Sequence, residues 1–484
     1  MATVLILGAG VAGHTAALHA KRMLGSAHEV VVVSPNSQWN WIPSNIWVGV
    51  GKMPETKVLF PLEPIYRRKK ITFHQGLATS VYPEGGSGHE RGYVVVESTR
   101  SDSPGQKQEV EYDYLINCTG PKLNFAATKG LGPEGHTLSV CTAPHASETY
   151  EHLKKAIERL RAGENLRFVV GTGHGTCTCE GAAFEYTFNL DFVLREEKVR
   201  DNAEVVYLTN EAQLGDFGVG GLVFTQQGFQ TTSKIWTESF FREREVQAIL
   251  GAHCTSIDPG VIHYEQLDGS THDLEFDFAM LLPPFRGADI TAYDAEGNEI
   301  TDQLFNPAGF MKVDANYAAG GYENWRAADW PKTYQSPKYD NIYAAGIAFA
   351  PPHQISEPMT SPNGTVITPA PPRTGMPSGI IAKTVVLSVV DRIRGTGKPA
   401  HEAPMTAMGA ACVASSGMGF LNGSAAAMTM HPVVPNREAY PQTGRDLKGT
   451  SGEIGLAGHW MKHILHFLFI YKAKAHPMWW LIPE

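Results

Sequence analysis

The sequence predicts an α/β protein with two parallel-sheet units and a helical C-terminal region. Two observations predict the sheet units: a strand, a glycine-rich turn and a helix open the chain, and the same arrangement returns from residue 166. The third observation is a change of composition after residue 400, where Ala, Met and Gly become frequent. A chain of 484 residues has room for about two to four domains.

Composition and charge exclude several classes of protein. Apolar residues make up 43% of the chain and charged residues 18%, so the chain can bury enough surface to fold. The net charge of −9 argues against a general nucleic-acid binder, because phosphate binding relies on a basic surface. We expect no transmembrane helix and no secretory signal, since no apolar stretch or basic leader of the required kind is present. The six cysteines are too few for a disulfide scaffold, and we expect no metal site.

The first unit starts with the strand-like TVLIL, passes through GAGVAG into an Ala-rich helix, and is followed by the apolar run EVVVV. In this G-x-G-x-x-G turn, Gly8, Gly10 and Gly13 allow a pyrophosphate to approach the helix N-terminus, where N–H groups favour anions. The pattern predicts a Rossmann-like dinucleotide-binding domain. The second strand ends in Ser34 and Asn36 instead of the usual acid, but these residues can still hydrogen-bond a ribose.

Three later segments fit a flavoprotein whose nucleotide domain is split in sequence. Residues 39–44 (WNWIPS) are of the kind that covers an isoalloxazine edge, although a loop that fills the core is an equal alternative. Residues 112–120 and 339–346 read as short strands that end in small-residue turns. The predicted domains are an FAD-binding domain at 1–140 and 285–400, a second Rossmann-like domain at 141–284, and a C-terminal region at 401–484.

The second unit has the layout of a nicotinamide-dinucleotide domain without its ribose anchor. Its strand LRFVV leads into GTGHG, then into a helix, and the next strand ends in Thr209 and Asn210 with no acid at its tip. Its glycine turn also carries cysteines. We therefore expect no NAD(P)H binding here.

The C-terminal region predicts an amphipathic helix at 459–475. Apolar side chains at helical spacing are Trp460, Ile464, Phe467, Leu468 and Tyr471. Basic side chains that lie largely on the other side are His459, Lys462, His463 and His466. Such a helix, followed by an apolar segment (478–482) that looks exposed, is typical of a protein that lies on a membrane surface. A helix that covers the core or forms a dimer contact is the alternative.

Three cysteines are candidates for redox chemistry. Cys179 follows the second glycine turn at the start of a helix, where the pKa of a thiol is lowered. Cys141 lies four residues before His145, and Cys412 lies in a small-residue stretch. Two thiols far apart in sequence could meet at a flavin and exchange electrons as a dithiol/disulfide pair. Each cysteine taken alone is more often simply buried, and Cys118 and Cys254 are interpreted so, while Cys177 is left open.

Together these segments resemble the sulfide:quinone oxidoreductases, which are two-dinucleotide-domain flavoproteins with a glutathione reductase-like fold. The resemblance covers nearly the whole chain. It is carried by GAGVAG at 8–13, SPNSQWNWIPSNIWVGVG at 34–51, YDYLINCTGPKLNF at 112–125, the Cys141–His145 stretch, TCEGAAFEY at 178–186, NIYAAGIA at 341–348, PPRTGMPSG at 371–379 and the late Cys412.

The resemblance implies a set of site residues. Cys179 and Cys412 would flank the flavin and hold a bridging sulfur, and Cys141 would be a third essential cysteine. Glu185 and His145 would handle protons. Residues implied around FAD are Gly8, Gly10, Gly13, Ser34, Asn36, Pro43, Ser44, Ala78, Thr119, Gly120, Gly346, Arg373, Thr374, Gly375 and Lys462. Residues implied around a quinone are Trp41, Phe469 and Trp479.

The implied activity is oxidation of hydrogen sulfide to polysulfide or elemental sulfur, with electrons passing through FAD to a membrane quinone. The implied protein is a peripheral, monotopic membrane protein and a homo-oligomer. The chain departs from the pattern by lacking a histidine near Asp216 and by an insertion at 353–365, which could reshape the quinone or sulfur exit. The alternatives are a flavocytochrome c-type sulfide dehydrogenase flavin subunit, a type II NADH:quinone oxidoreductase, and a non-catalytic flavin and thiol redox sensor.

Overall fold

The computed structural model describes residues 1–86, 88–178, 180–226, 228–320, 322–372 and 375–484, and its elements are numbered in chain order. The strands are β1 (Thr3–Leu7), β2 (Glu29–Ser34), β3 (Gln38–Asn40), β4 (Leu59–Pro61), β5 (Thr72–Tyr82), β6 (Tyr93–Ser98), β7 (Lys107–Glu111), β8 (Tyr114–Asn117), β9 (Lys122–Leu123), β10 (Leu166–Thr172), β11 (Ala203–Leu208), β12 (Val223–Gln226), β13 (Phe229–Thr232), β14 (Gln247–Ile249), β15 (Ala252–Asp258), β16 (Val261–Gln266), β17 (Thr271–Glu275), β18 (Phe278–Leu282), β19 (Phe285–Arg286), β20 (Thr291–Ala292), β21 (Ile342–Ala344), β22 (Ala410–Ser415), β23 (Ala425–Met430) and β24 (Ser451–Gly455). The helices are α1 (Val11–Leu24), α2 (Asn45–Gly49), α3 (Glu63–Lys69), α4 (Ala143–Arg161), α5 (Glu180–Glu196), α6 (Ser233–Glu243), α7 (Thr301–Leu304), α8 (Gly375–Ile393) and α9 (Leu456–Ala473).

The first sheet follows the order β21-β8-β1-β2-β5-β6-β7, with β20 paired to β5. The pairs from β21 to β5 are parallel, and β5, β6 and β7 form an antiparallel meander. Every residue of β1 is buried, as expected for a central strand of a parallel sheet covered on both faces. Helices α1 and α8 pack against each other beside it. The strand order and the glycine turn between β1 and α1 confirm the predicted Rossmann-like sheet.

The second sheet is fully parallel, in the order β14-β11-β10-β18. An antiparallel sheet of β15, β16 and β17 lies beside it, over a smaller core that includes Val169, Cys254 and Ile262. The chain leaves the first sheet after β8 and rejoins it at β20, so the second sheet is formed by residues that lie between two parts of the first. The exact domain boundaries stay a prediction.

The C-terminal region contains more than a helix. Strands β22, β23 and β24 form an antiparallel sheet, and α9 packs against it. The sequence predicted the helix but not these strands, so the prediction for 401–484 was incomplete. None of the described helices is both long and apolar enough to cross a membrane.

Candidate functional site

The first glycine turn leaves open space at the N-terminus of α1. Gly8 has a φ of +93°, and a side chain on it would meet the carbonyl oxygen of Cys118 at 2.2 Å. Gly13 is equally crowded, because a Cβ there would lie 1.9 Å from the Gly8 oxygen. At Gly10, by contrast, no described atom lies within 4 Å of the position of a Cβ, and no side chain caps the helix. The first N–H groups of α1 therefore face free space suited to an anion.

Other segments of the chain lie around this space at the N-terminus of α1. A Cβ on Gly346, which follows β21, would lie 2.6 Å from the Ala12 Cβ in α1 and 3.6 Å from the Ser378 Cβ in α8. Gly120 after β8 and Gly375 at the start of α8 have no described atom within 4 Å of a Cβ position. The carboxyl ends of parallel strands meet at one edge of a sheet. This edge thus gathers open backbone from several segments, as a dinucleotide site requires.

Four further predicted residues lie at or near the ends of strands of the same sheet. Ser34 is buried at the end of β2, and its Oγ accepts a hydrogen bond from the Asn36 N–H at 3.4 Å. Thr119 donates its N–H and its hydroxyl to the side-chain oxygen of Asn117 at 3.1 and 2.8 Å. Ala78 is buried in β5 at an irregularity of its pairing with β6. Their contacts with a cofactor stay predictions.

Three predicted site residues, Cys179, Arg373 and Thr374, lie outside the described residues. The description resumes at Glu180, where α5 begins, and at Gly375, where α8 begins. By helical geometry, Cys179 and Glu185, which lies six positions later, share a site only if Cys179 precedes the regular part of α5. Whether this condition is met stays a prediction.

Cys412 lies over the first turn of α5. Its Sγ is 3.7 Å from the position where a side chain on Gly181 would begin. Burial raises the pKa of the Cys412 thiol to about 11, the charge of Glu185 adds to this rise, and the charge of Lys462 opposes it. The described part of the chain thus brings the Cys412 sulfur to a residue only two positions after Cys179 in the sequence.

Glu185 and Lys462 form a buried ion pair that joins α5 to α9. The carboxylate also accepts hydrogen bonds from the Ser415 N–H at 3.0 Å and from the Ser415 hydroxyl at 2.5 Å. The Lys462 ammonium donates in addition to the Val413 carbonyl oxygen at 2.9 Å. Because β22 carries Cys412, Val413 and Ser415, this strand places the thiol beside the ion pair. Three predicted residues therefore converge, although they are far apart in sequence.

Sequence reasoning missed the side chains that support this pair. The Trp47 indole N–H donates to the Ser415 hydroxyl at 2.9 Å, and Lys462 lies over the Trp47 ring at 5.6 Å. The Asn189 amide donates to the Ser415 main-chain oxygen at 2.7 Å. A serine in a small-residue run and a tryptophan in an apolar segment carry no local signal of such a role. Only the packing of α2, α5 and β22 brings them together.

Cys141 and His145 lie at the start of α4. The Cys141 N–H donates to the Ser139 hydroxyl at 3.2 Å, and burial raises the pKa of its thiol to about 11. His145 is half-buried, its Nδ1 has no described hydrogen-bond partner, and burial lowers the pKa of the ring. The neighbouring segment is held against α2, since the Asn45 amide donates to the Val140 carbonyl oxygen at 3.3 Å. A neutral histidine near a thiol suits proton transfer, which stays a prediction.

The remaining described cysteines are buried. Cys118 and Cys254 were interpreted as packing residues, and the structure confirms this. Cys177 is fully buried and its thiol donates to the Leu282 carbonyl oxygen at 3.1 Å. It therefore packs between the second glycine turn and the end of β18.

The predicted quinone residues divide into two groups. Trp41 and Phe469 stack at 4.9 Å between ring centroids, and Trp39 extends the stack at 5.9 Å from Trp41. Beside them Pro43 is exposed, while the buried Ser44 hydrogen-bonds with the His466 ring at 2.9 Å. This segment thus lies under α9, and Trp39 and Trp41 are also part of the buried core.

Trp479 lies elsewhere. It is 2% exposed and its ring meets His19 of α1 at 4.8 Å, in an edge-on arrangement. Its described ring partners are His19 and Trp480, not the stack of Trp41 and Phe469. The expectation of an exposed segment at 478–482 was therefore wrong for Trp479, because α1 covers it, although Met478 and Leu481 are exposed.

The second glycine turn is covered by the chain itself. The Asn210 amide at the tip of β11 donates to the Gly175 and Cys177 carbonyl oxygens at 3.1 and 3.2 Å. A Cβ on Gly175 would lie 2.4 Å from the Val366 carbonyl oxygen, and the Ala370 N–H donates to Cys177 at 2.9 Å. The place where a nicotinamide dinucleotide would lie thus holds protein atoms.

The insertion at 353–365 packs on other parts of the chain. His353 stacks on Trp325 at 4.3 Å and accepts a hydrogen bond from the Trp330 indole at 2.8 Å. Ser361 donates to the buried Glu265 of β16, and Ser356 donates to Asp216. The insertion therefore packs on the loops of the second sheet.

Helix α9 presents its apolar side to solvent and its polar side to the protein. The outward side chains are Trp460, Met461, Ile464, Phe467, Leu468 and Tyr471, of which Phe467 is 62% exposed. Phe420 and Leu421, 78% and 80% exposed, extend the apolar surface, and the Phe420 carbonyl oxygen accepts from the Trp460 indole at 2.9 Å. The buried side carries His459, Lys462 and His466, as the sequence predicted.

Comparison with known proteins shows what this chain is similar to. Residues 2–199 match the model of the pyridine nucleotide-disulphide oxidoreductases. The sulfide-quinone reductase of Aquifex aeolicus is 27% identical over 471 residues, which cover 97% of this chain and 91% of that protein.

Solved structures agree with this comparison. The sulfide:quinone oxidoreductase of Aquifex aeolicus superposes with a TM-score of 0.75 and 26% identity, over 98% of this chain and 92% of that one. NDH2 from Plasmodium falciparum in complex with NADH superposes with a TM-score of 0.58 over 88% of this chain and 89% of that one. At 14% identity, the second likeness shows the fold alone.

Proposed function

We propose that this chain oxidises hydrogen sulfide and reduces a membrane quinone through FAD. Its residues 2–199 match the model of the pyridine nucleotide-disulphide oxidoreductases, and it is similar to the sulfide-quinone reductase of Aquifex aeolicus along nearly its whole length. One observation carries the proposal. The Cys412 sulfur lies against the first turn of α5, directly after Cys179 in the sequence and beside the buried pair of Glu185 and Lys462. A second thiol brought to this place is what a sulfur bridge between two cysteines requires.

FAD fits the open edge of the first sheet. The backbone at Gly10, Gly120 and Gly375 has the free space that a pyrophosphate and its sugars need, and the N–H groups of α1 would bind the phosphates. The other residues assigned to FAD are Gly8, Gly13, Ser34, Asn36, Pro43, Ser44, Ala78, Thr119, Gly346, Arg373, Thr374 and Lys462. When bound, FAD supplies a two-electron acceptor.

The cysteines carry the sulfur chemistry. Hydrosulfide attacks the bridge between Cys179 and Cys412, so one sulfur–sulfur bond forms and another breaks. One cysteine is left as a persulfide and the other as a thiolate. The bridge would form again, one sulfur longer, when the persulfide loses its proton and its outer sulfur bonds to the thiolate sulfur, and the two electrons that this oxidation releases would pass to FAD. Cys141 serves as the third cysteine and helps to release the growing sulfur chain as polysulfide or elemental sulfur.

Glu185 and Lys462 hold charge at this place. The Glu185 carboxylate accepts from Lys462 and twice from Ser415, and it orients the lysine beside Cys412. The ammonium stabilises negative charge on the acceptor or on the thiolate. His145 is the neutral proton carrier at the Cys141 side.

The closed second glycine turn favours sulfide over NADH as the electron source. Asn210, Val366 and Ala370 occupy the space where a nicotinamide dinucleotide would bind. The type II NADH:quinone oxidoreductase alternative needs that space.

The outward apolar side of α9 supports attachment to a membrane surface. Phe420, Leu421 and Phe467 would enter the lipid, and the stack of Trp41 and Phe469 lies beneath the helix, where a quinone would arrive. A soluble haem partner, as in flavocytochrome c-type sulfide dehydrogenases, needs no such surface. Trp479, which α1 covers, is a weaker candidate for quinone contact. A homo-oligomer stays a prediction.

Sulfide titration of the purified flavoprotein tests the proposal. Sulfide should bleach the flavin absorbance and a soluble quinone should restore it, whereas NADH should leave the flavin oxidised. Cys412→Ser should lose sulfide-dependent turnover by at least about a hundredfold, because no bridge can form.

Cys254→Ser is the matched control, since this cysteine is buried in the core of the antiparallel sheet. It should keep full turnover. Rapid bleaching by NADH would favour the NADH:quinone oxidoreductase instead. Flavin binding without any sulfide-dependent quinone reduction would favour a redox sensor.

A further inference from the structure

Three carboxyl side chains that the proposed function does not use lie together at the start of α5. Glu180 is fully buried, and neither of its oxygens has a hydrogen-bond partner among the described residues. Glu211, after β11, is also buried, while Asp216 is half-buried and reaches the surface side of the same loop. A buried carboxyl without partners is costly to keep, which points to a use.

The contacts of these groups place them close together. The side-chain oxygen of Glu180 lies 3.4 Å from the position of a Cβ on Gly218, and the Gly218 N–H donates to Asp216 at 3.0 Å. The Tyr207 hydroxyl lies between the two glutamates, 3.2 Å from the Glu180 main-chain oxygen and 3.4 Å from the Glu211 carboxylate. The three groups thus lead from the interior towards solvent.

Charges around the cluster favour protons on it. Burial raises the pKa of Glu180 well above its ordinary value, and the negative charges of Glu211 and Asp216 raise it further, while the nearby Asn210 amide opposes the rise. Burial raises the pKa of Glu211 to about 7 and that of Asp216 in the same direction.

The titratable groups beside the cluster do not cancel the rise in the pKa of its carboxyl groups. The Cys177 thiol and the Tyr207 phenol keep their protons, because burial and the charges of the glutamates raise the pKa of both. Arg445 is the cation near Asp216, and its guanidinium is engaged by four main-chain carbonyl oxygens. The surroundings of the interior end of the cluster therefore favour the protonated form of its carboxyl groups.

A metal site is not a better explanation. Among the described residues, no group of three or more His, Cys, Asp or Glu side chains is arranged to hold a metal ion. The Glu211 oxygens are engaged by the Phe217 N–H at 2.9 Å and the Thr209 hydroxyl at 2.9 Å. The cluster thus exchanges protons more readily than it could gather a cation.

We propose that Glu180, Glu211 and Asp216 form a proton relay that carries the proton of hydrosulfide from the cysteine site to solvent. The inference rests on the proposed function and adds an exit for the proton. Glu180 is adjacent in sequence to Cys179, and the next residue, Gly181, is the one that Cys412 approaches.

The step balances without a further reactant. When hydrosulfide attacks the bridge, its sulfur bonds to one cysteine, the other cysteine leaves as a thiolate, and the S–H proton remains on the new persulfide. That proton passes to one oxygen of Glu180 while the proton already on Glu180 passes to Glu211 and then to Asp216. The electron pair stays with the thiolate, and the acceptor is the FAD of the proposed function.

Glu180→Gln tests the relay, because it keeps the shape and removes the titratable proton. Sulfide-dependent flavin reduction should be slowed by about a hundredfold, the loss typical of a missing acid–base group. Glu180→Asp, which keeps a carboxyl, should retain part of the rate. Glu196→Gln is the matched control at the exposed end of α5, where Glu196 pairs with Lys52, and it should keep the wild-type rate.

Infrared spectroscopy supplies a readout that does not depend on turnover. The wild-type holoprotein at pH 7 should show the carbonyl stretch of a buried protonated carboxyl group, and Glu180→Gln should lose it. The ratio of the Glu211→Gln rate to the wild-type rate should change near pH 7, because Glu211 titrates there only in the wild-type protein. Taking the ratio at each pH cancels the ionisation of sulfide itself.

Two results would overturn the relay: a Glu180→Gln variant with the wild-type rate, or a wild-type spectrum without the protonated carboxyl. Failure of the proposed function is seen separately, because the wild-type protein would then not respond to sulfide at all. Flavin content and circular dichroism of each variant establish that it is folded.

Discussion

The two glycine-rich turns start from the same local pattern and end with opposite surroundings. In the first turn, Gly10 faces free space at the N-terminus of α1. In the second, Gly175 meets the Val366 carbonyl oxygen, and Asn210 ties the tip of β11 to the turn. A strand, a turn and a helix therefore define where a dinucleotide could bind, but the segment that packs across the turn decides whether it does.

The helices that follow the two turns, α1 and α5, also differ in what their first residues contact. Helix α1 begins with small residues and leaves its first N–H groups uncapped, as an anion site needs. Helix α5 begins with the buried Glu180 and carries Glu185, which pairs with Lys462. The second unit thus holds its own carboxyl groups and thiols where the first would hold a cofactor.

Filling the first turn should have the largest effect. Gly10→Val places a branched side chain in free space, so the fold should be kept, while FAD should be lost almost completely because the pyrophosphate can no longer approach. The measurement is the ratio of flavin to protein absorbance after purification, with circular dichroism to show folding. Gly397→Asn, in a loop after α8 with a φ of +67°, is the control and should keep its flavin. A Gly10→Val protein with full flavin would show that the first turn is not the cofactor site.

Removing the cation from the second unit should be the next largest effect. Lys462→Met leaves the buried Glu185 without its ionic partner, and this should lower the free energy of unfolding by about 3 kcal/mol. Urea unfolding followed by tryptophan fluorescence measures the loss. The double variant Glu185→Gln/Lys462→Met should recover most of it, because no unpaired charge then remains. Equal losses in the single and double variants would mean that the two side chains do not act as a pair.

The third expected effect concerns pH. The pKa of Glu180 is higher in the folded protein than its ordinary value, so above about pH 4.5 the folded state binds more protons than the unfolded state. The free energy of unfolding therefore falls as pH rises, by up to about 1.4 kcal/mol per pH unit for this group. Glu180→Gln does not titrate, so its stability relative to wild type should increase from pH 5 to pH 8 in urea unfolding. Glu196→Gln should keep a constant difference, and a constant difference in Glu180→Gln would contradict the raised pKa.

The sequence was informative where a pattern is local. The glycine turn with its buried strand and the apolar stripe of α9 have the periodicity of the elements they form, and both were predicted. Strands β22 to β24 were not, because runs of Ala and Met show no alternation and pair only through contacts distant in sequence. Cys412 was singled out by family resemblance. No sequence pattern around Cys412 predicts that it contacts α5.

Burial was the main quantity that the sequence did not supply. A glutamate at the start of a helix is usually an exposed residue that complements the helix dipole, so Glu180 attracted no attention. Trp479 belongs to an apolar segment that looked exposed, but the side of α1 that carries His19 covers it. In both cases a segment distant in the chain determines the environment.

Helix α9 has its apolar side towards solvent and its polar side towards the protein, and this orientation has a mechanical consequence. Lys462 points inwards to Glu185 from the same helix whose outer side carries Phe467 and Ile464. An α-helix is only about 10 Å across, so a displacement imposed on its outer surface moves the ammonium group by a comparable amount. We therefore expect detergents and lipids of different chain length to alter the electron-transfer rate, even though they touch none of the reacting atoms.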